Sequence, residues 1–385
     1  MAERSSGREI AVLVGLDFGK GGYDESIEEL GQLAASAGIQ ARALVRGRRD
    51  RPDPALFAGS GKVEEIKRAL QEQGASLAIF NHDLSPAQER NLEKALGCPI
   101  IDRTRLILNI FGQRAKSHEG KLQVELAQLE HAATRLVRGW THLERQRGGR
   151  GFMGGMGETQ LEVDRRLIAN RVKLLKDKLG KLGRRREVQR RARERGRAFS
   201  VSLVGYTNAG KSTLFNTLTR AGALAEDRLF ATLDTTTRRL YLPEAGNVAI
   251  SDTVGFIRDL PHTLVAAFRA TLEEAVHADL LLHVVDAASD AREAQILEVD
   301  KVLAEIGANA VPRLLVWNKI DRNGLDPGVD RNEYDRICRV RLSARTGDGV
   351  EGLRRALIEA AASRTSPASP PKPTDSKKLS QAATT

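Results

Sequence analysis

Short apolar runs alternate with amphipathic stretches from residue 8 to about residue 113. Ile10 to Leu16 reads as a strand, Ser26 to Ala37 as an amphipathic helix and Gln40 to Val45 as a second strand. Val63 to Gln73 (helix), Ser76 to Phe80 (strand), Pro86 to Leu96 (helix) and Pro99 to Ile101 (strand) continue the alternation. Strands separated by helices bury both faces of a parallel sheet, so residues 1–113 are expected to form a parallel α/β domain.

The strand signal stops there. Leu122, Leu126, Leu129, Ala133, Leu136 and Trp140 recur at spacings of four and three, and Ile168, Val172, Leu175, Leu179 and Leu182 repeat the rhythm. Seams of that spacing suit two helices packed in coiled-coil fashion. Between them, Gln146 to Gly157 carries too much glycine to continue either helix. Residues 114–197 therefore read as a helical hairpin, an arm with a flexible, basic, glycine-rich tip. Strand and helix signals return over 198–363, and the proline-rich composition of 364–385 reads as a disordered tail.

Composition changes this picture only a little. A length of 385 residues allows two or three domains, and 41% hydrophobic with 29% charged residues describes a globular chain with very polar flanks. No apolar run approaches the roughly 18 residues that span a bilayer, and Ile10 to Gly15 is too short for a signal-peptide core. Cys98 and Cys338 lie far apart with no CxxC, so reduced thiols and a cytoplasmic location are expected. A net charge of +11 favours a polyanionic partner, either RNA or an acidic membrane surface met peripherally. The basic run Lys181 to Arg197 fits a solvated helix face as well as it fits RNA contact. A monomer is expected.

The chemistry lies between residues 199 and 346. The apolar strand Phe199 to Val204 runs into Gly205-Tyr206-Thr207-Asn208-Ala209-Gly210-Lys211-Ser212, then a helix from Thr213 to Thr219. This is the phosphate-loop pattern in its strand–loop–helix setting. Its glycines let backbone amides turn inward on an anion at a helix N-terminus. Lys211 is expected to reach the β- and γ-phosphates and Ser212 to bind Mg²⁺. A strand over Val248 to Ser251 ends in Asp252-Thr253-Val254-Gly255. There Asp252 can hold Mg²⁺ through water, and the Gly255 amide can approach the γ-phosphate.

A strand over Arg313 to Trp317 ends in Asn318-Lys319-Ile320-Asp321, and another over Cys338 to Leu342 ends in Ser343-Ala344-Arg345. Asp321 can accept both N–H donors on the guanine edge, which adenine does not offer. Asn318 can support O6 and neighbouring loops, Lys319 can lie along the base, and an amide of the last segment can meet O6. Such a site penalises ATP by leaving polar groups unpaired. Each fragment alone is weak, but all at strand ends of one α/β repeat indicate a GTP/GDP pocket. A further segment must supply a threonine for Mg²⁺, and Phe230-Ala231-Thr232-Leu233-Asp234-Thr235-Thr236-Thr237 offers several, among which spacing does not choose.

Residues 199–346 resemble a translation-factor-class small GTPase. Phe230 to Asp234, the stretch Gly157-Glu158-Thr159-Gln160-Leu161-Glu162 with Asp164-Arg165-Arg166, and Gly59-Ser60-Gly61-Lys62-Val63 are similar to the HflX family. The resemblance implies an N-terminal domain, a helical arm and a P-loop GTPase domain with a mostly parallel sheet. It also implies GTP hydrolysis, docking on the large ribosomal subunit and its RNA, and ribosome splitting or rescue under stress. By the same resemblance Thr232 joins Ser212 on the metal, and the tip near Gly148 to Gly157 inserts toward ribosomal RNA. Thr235 stands where the family often has proline, which implies a more flexible switch, and a C-terminal domain found in some relatives has no room here.

After Gly255, where many GTPases carry a water-orienting glutamine, stands Phe256. It can pack under a switch loop, but it cannot orient water, so slow basal hydrolysis is expected. Lys211, Thr232 and Gly255 remain the catalytic candidates. Asn208 is a candidate K⁺ holder, or simply a loop-stabilising side chain. Gly59 to Lys62 reads as a turn before a helix, and the seven histidines show no metal-ligand spacing. A GTP-gated binding protein with negligible turnover is the rival reading. An ATPase centred on the N-terminal domain ranks behind both.

Overall fold

The computed structural model describes residues 9–19, 21–138, 160–195, 198–220, 229–261, 264 and 268–365. The glycine-rich tip, Trp140, Gly157 to Thr159 and the tail from 366 onward lie outside them.

The N-terminal sheet is wholly parallel, in the order β2 (Gln40–Arg48), β1 (Ile10–Asp17), β3 (Leu77–Phe80), β4 (Ile100–Ile101). Strand β1 is apolar from Ile10 to Leu16, with Ala11, Val12 and Val14 fully buried, because helices cover both faces. Strand β2 runs three residues beyond its apolar run, pairing Arg46, Gly47 and Arg48 with Gly15 to Asp17. It lies at the sheet edge, where polar side chains meet solvent, so hydropathy did not mark its end. The helix α3 (Pro86–Leu96) starts where expected, because Ser85 and Gln88 form a reciprocal capping box ahead of Pro86.

Helices α1 (Tyr23–Ser36), α2 (Ser60–Gln73) and α4 (Arg103–Arg114) complete this half. No helix was foreseen at α4. Leu106, Ile107, Leu108, Ile110 and Phe111 are all buried, while Arg105, Asn109, Gly112 and Gln113 face outward, so the polar stripe that makes a helix legible is narrow. It is clamped between the two halves of the chain. The Phe111 ring packs edge-to-face on Phe230 (centroids 4.7 Å apart) and on Phe268 (4.8 Å), both from the nucleotide-pattern half. One apolar cluster thus runs from Leu13 through Phe111 to Phe256 and Leu303, across the expected division.

The hairpin pairs α5 (His118–Arg138) with α6 (Gln160–Arg195). Leu122, Leu126 and Leu175 are buried in its seam, with Leu129, Val172, Leu179 and Leu182 packed alongside. Ion pairs Lys176–Glu130 and Arg186–Glu119, both 2.8 Å, flank it. No described helix is long and apolar enough to cross a membrane.

The second sheet has seven strands in the order β10 (Gly328–Arg331), β11 (Ile337–Arg341), β9 (Arg313–Asn318), β8 (Leu280–Asp286), β5 (Phe199–Val204), β7 (Gly246–Asp252), β6 (Thr236–Leu242). All pairings are parallel except β10–β11 and β6–β7 at the two edges. The central strands deliver their C-terminal loops to one edge, the place where open α/β sheets bind ligands.

A buried polar network ties the halves together. Arg103, at the start of α4, pairs with Glu29 of α1, with side chains only 5% and 9% exposed. Arg103 also donates to Asn81 Oδ1 (2.8 Å) and to the Arg258 carbonyl (3.0 Å). The Tyr206 hydroxyl donates to Glu29 and accepts from the Arg258 amide at 2.8 Å. Burial, reinforced by Glu29, pushes the Tyr206 hydroxyl well up, so it stays a donor. Arg103→Ala strands a buried carboxylate and should cost about 3–5 kcal/mol in urea-unfolding stability. A loss below about 1 kcal/mol would show the pair to be dispensable.

Candidate nucleotide site

The loop after β5 takes its shape from residues that tolerate unusual backbone. Gly205 has φ +149°, and a Cβ there would sit 2.2 Å from the Val284 carbonyl oxygen. Asn208 adopts φ +59°, the left-handed region that asparagine enters more readily than most residues. The helix α7 (Lys211–Thr219) then begins at the end of the loop.

Lys211 is buried, and its Nζ donates to the carbonyls of Gly205 (3.0 Å) and Tyr206 (2.8 Å). Burial pushes its pKa down to about 8; Asp252 opposes the shift and Lys319 adds to it. The ammonium therefore sits where an anion would be strongly welcome.

Three side-chain oxygens meet beside it. Ser212 Oγ lies 2.7 Å from Thr232 Oγ1 and donates to Asp252 Oδ2 at 2.7 Å, and Thr232 Oγ1 donates to the same oxygen at 3.0 Å. Burial pushes the Asp252 carboxyl up, partly countered by these hydroxyls and by Lys211. Its Oδ1 is buried with no hydrogen-bond partner. Two hydroxyls and a carboxylate with an unsatisfied oxygen form a hard donor set that suits a small divalent cation. Of the threonines that spacing left open, Thr232 takes this place. Thr236 opens β6, and Thr237 Oγ1 instead meets Ser251 Oγ at 2.8 Å.

The segment after β7 is stitched to the phosphate loop. The Phe256 amide donates to the Gly205 carbonyl (3.1 Å), and the Thr207 amide donates to the Phe256 carbonyl (2.7 Å). A Cβ on Gly255 would come within 3.0 Å of Lys211 Nζ and closer still to Thr207, so glycine is required by space. The Phe256 ring is fully buried in the core shared by the two halves and does not face the cavity.

At the other end, Asn318 is buried and bridges two loops. Its Nδ2 donates to the Ala209 carbonyl and its Oδ1 accepts from the Ala344 amide, each at 2.9 Å. Lys319 Nζ pairs with Asp286 at 2.8 Å. Asp321 stands exposed at the rim. Ser343 is fully buried, and its Oγ accepts from the Thr346 amide at 3.2 Å.

Between these ends lies a cavity of about 360 Å³. Of the residues expected there, Thr207, Asn208, Gly210, Lys211 and Ser212 line it from the phosphate loop. Phe230, Ala231, Thr232, Thr253 and Gly255 line the middle, and Asn318, Lys319, Asp321, Ser343, Ala344 and Arg345 the far end. The others do not. Gly205 and Ala209 contribute through their carbonyls, while Asp252 stands behind Ser212. Leu233, Val254 and Ile320 are buried in core. Tyr206 and Asp234 correct the sequence expectation most sharply, since both side chains reach other parts of the chain.

Thr213 and Arg322 also line the cavity, and Asp286 holds Lys319. The first two adjoin recognised motifs and could have been included on that ground. Asp286 ends β8, a strand whose run Leu280 to Val285, apolar but for His283, was legible but passed over. Lys62 Nζ is engaged by the Arg46 carbonyl (2.8 Å) and by Glu65, in keeping with a turn before α2. Among the described residues no group of three or more His, Cys, Asp or Glu side chains is placed to hold a metal.

Comparison with known proteins covers most of the chain. Residues 24–112 match the family described as GTP-binding GTPase N-terminal, and residues 114–193 the GTP-binding GTPase middle region. Residues 200–319 match the family described as 50S ribosome-binding GTPase. GTPase HflX of Escherichia coli (strain K12) is 53% identical over 360 residues, covering 93% of this chain and 84% of its own. GTPase HflX of Magnetococcus marinus is 52% identical over 327 residues, covering 85% and 76%. A solved GTP-binding protein from the archaeon Sulfolobus solfataricus, in complex with GDP, aligns with 92% of this chain and 99% of its own at a TM-score of 0.46 and 23% identity.

The Lys211 environment gives a test. Its depressed pKa means that the folded chain carries a penalty for the buried ammonium below about pH 8, relieved as pH rises toward the unfolded value. Lys211→Met should therefore stabilise the nucleotide-free protein at pH 7 by about 2 kcal/mol while abolishing nucleotide binding. The gain should shrink between pH 8 and 10. A destabilised variant with a pH-independent deficit would contradict it.

Proposed function

The chain belongs to the HflX family of GTPases, and from that premise we propose that it hydrolyses GTP in this strand-end pocket and, in its GTP state, docks on the large ribosomal subunit to split or rescue stalled ribosomes. The observation that carries the chemistry is the meeting of Ser212, Thr232 and Asp252 oxygens beside the buried Lys211 ammonium.

In this reading Ser212 and Thr232 hold Mg²⁺ directly, with Asp252 behind them through water. The ion, when bound, neutralises charge that develops on the phosphoryl oxygens. Lys211 leaves the carbonyls of Gly205 and Tyr206 for the phosphates, exchanging two neutral acceptors for an anion. The Gly255 amide approaches the γ-phosphate, and loop amides at the start of α7 cradle the rest. Asp321 reads the guanine edge while Asn318 fixes the loops around it.

Hydrolysis is in-line attack of water on the γ-phosphate, and the buried Phe256 offers that water no polar atom. Basal turnover is accordingly slow, and a partner that orders the switch segments accelerates it. The same observation favours the second reading, a GTP-gated RNA- or protein-binding switch whose turnover is incidental. Asn208, which lines the cavity, is the residue to hold K⁺ if a monovalent cation assists. The exposed Arg165, Lys173, Lys178, Lys181, Arg184 and Arg185 give α6 a basic face suited to RNA.

Purified large subunits should raise GTP hydrolysis at least tenfold, about 1.4 kcal/mol off the barrier. Cosedimentation with a non-hydrolysable GTP analogue should weaken steeply with salt. Tight analogue-dependent binding without stimulation would favour the switch, and equal basal rates in potassium and sodium would remove the K⁺ role of Asn208.

A further inference from the structure

Asp234, expected on the nucleotide, points the other way. Its Oδ2 accepts from the backbone amides of Lys116 (3.0 Å) and Ser117 (2.8 Å), and its Oδ1 from the Ser117 hydroxyl. Ser117 Oγ in turn accepts from the Gly120 amide at 2.8 Å. These amides open α5, the first helix of the arm. A Cβ on Gly120 would lie 2.2 Å from Asp234 Oδ1, so the absence of a side chain there admits the carboxylate.

The same short segment is pinned at its other end. Phe230 adopts φ +56° and buries its ring against Phe111, near the end of α4. Between these two anchors stands Thr232, against Ser212 and Asp252. Two residues of chain reach at most about 7 Å, so Thr232 has little freedom to move while Asp234 stays bound. Both anchors belong to one place, the α4–α5 junction at the root of the arm.

We propose that Asp234 is a positioning residue: by clamping the switch segment to the root of the arm, it sets Thr232 against Ser212 and Asp252, so that arm position and metal grip are coupled. The proposal rests on the reading of Thr232 as a Mg²⁺ ligand. Coupling of this kind is reciprocal, and a partner that displaces the arm loosens Thr232 as surely as nucleotide steadies the arm.

A helix cap alone would protect the Lys116 and Ser117 amides without touching metal affinity, and the test separates the two. The Mg²⁺ concentration needed to tighten a non-hydrolysable GTP analogue is measured by equilibrium binding for the intact chain, Asp234→Asn, Ser117→Ala and Thr232→Ala. Hydrogen exchange at residues 116–120 is followed with the analogue and with GDP.

Asp234→Asn keeps the side-chain shape and should raise the Mg²⁺ requirement roughly fivefold. Its magnesium-free GDP affinity should stay within about twofold. Extra protection of residues 116–120 in the analogue state should disappear. Ser117→Ala, approached from the arm side, should shift the requirement in the same direction. If Thr232→Ala raises the requirement but neither Asp234→Asn nor Ser117→Ala does, Asp234 is only a cap and this inference fails alone. If Thr232→Ala also leaves it unchanged, the metal reading of Thr232 falls and takes the inference with it.

Discussion

Asn318 holds the pocket together. It is buried, and its amide satisfies one backbone group on each side, the Ala209 carbonyl and the Ala344 amide. Loops from β5, β9 and β11 are thereby joined at one point, and the space it needs is left by Gly210, where a Cβ would lie 2.2 Å from Nδ2. Removing this side chain would orphan two buried backbone groups, each costing more than the net worth of a hydrogen bond. A parallel sheet brings the loops to one edge, and this residue makes them a single cavity.

The pocket is not an independent unit resting on its neighbours. Tyr206, inside the phosphate loop, and Arg258, just past the switch glycine, share a network with Glu29 and Arg103 of the N-terminal half. Phe230 and Phe268 pack on Phe111 of α4. Segments that line the cavity therefore have their back faces in contact with helices α1 and α4 and with the root of the arm. In a family whose members are GTPases, that contact offers a physical route for a bound partner to alter the site.

The sequence made the local parts legible. A phosphate loop declares itself through glycine spacing between a strand and a helix, and Asp252, Asn318 and Ser343 stand at or just past the C-terminal ends of strands that stop within one residue of expectation. What stayed hidden depends on tertiary direction. Nothing in the string Phe230 to Asp234 says that Thr232 turns to Ser212 and Asp252 while Asp234 turns to α5. Tyr206 likewise sits in a nucleotide motif but faces Glu29, which is 177 residues away in sequence. Helix α4 was hidden because most of its circumference is buried and its outward face is narrow, and β2 was cut short because an edge strand can end in arginines.

The central claim is that one cavity reads guanine at the Asp321 end while gripping phosphates at the Lys211 end. Equilibrium competition among GDP, ADP and XDP, for the intact chain and for Asp321→Asn, tests it most directly. Xanthine carries a carbonyl where guanine carries its amine, so asparagine can donate where aspartate could only accept. The intact chain should prefer GDP over ADP by roughly a hundredfold or more, and the variant should transfer that preference to XDP. A variant that still selects GDP, or an intact chain that binds ADP equally well, would contradict the account.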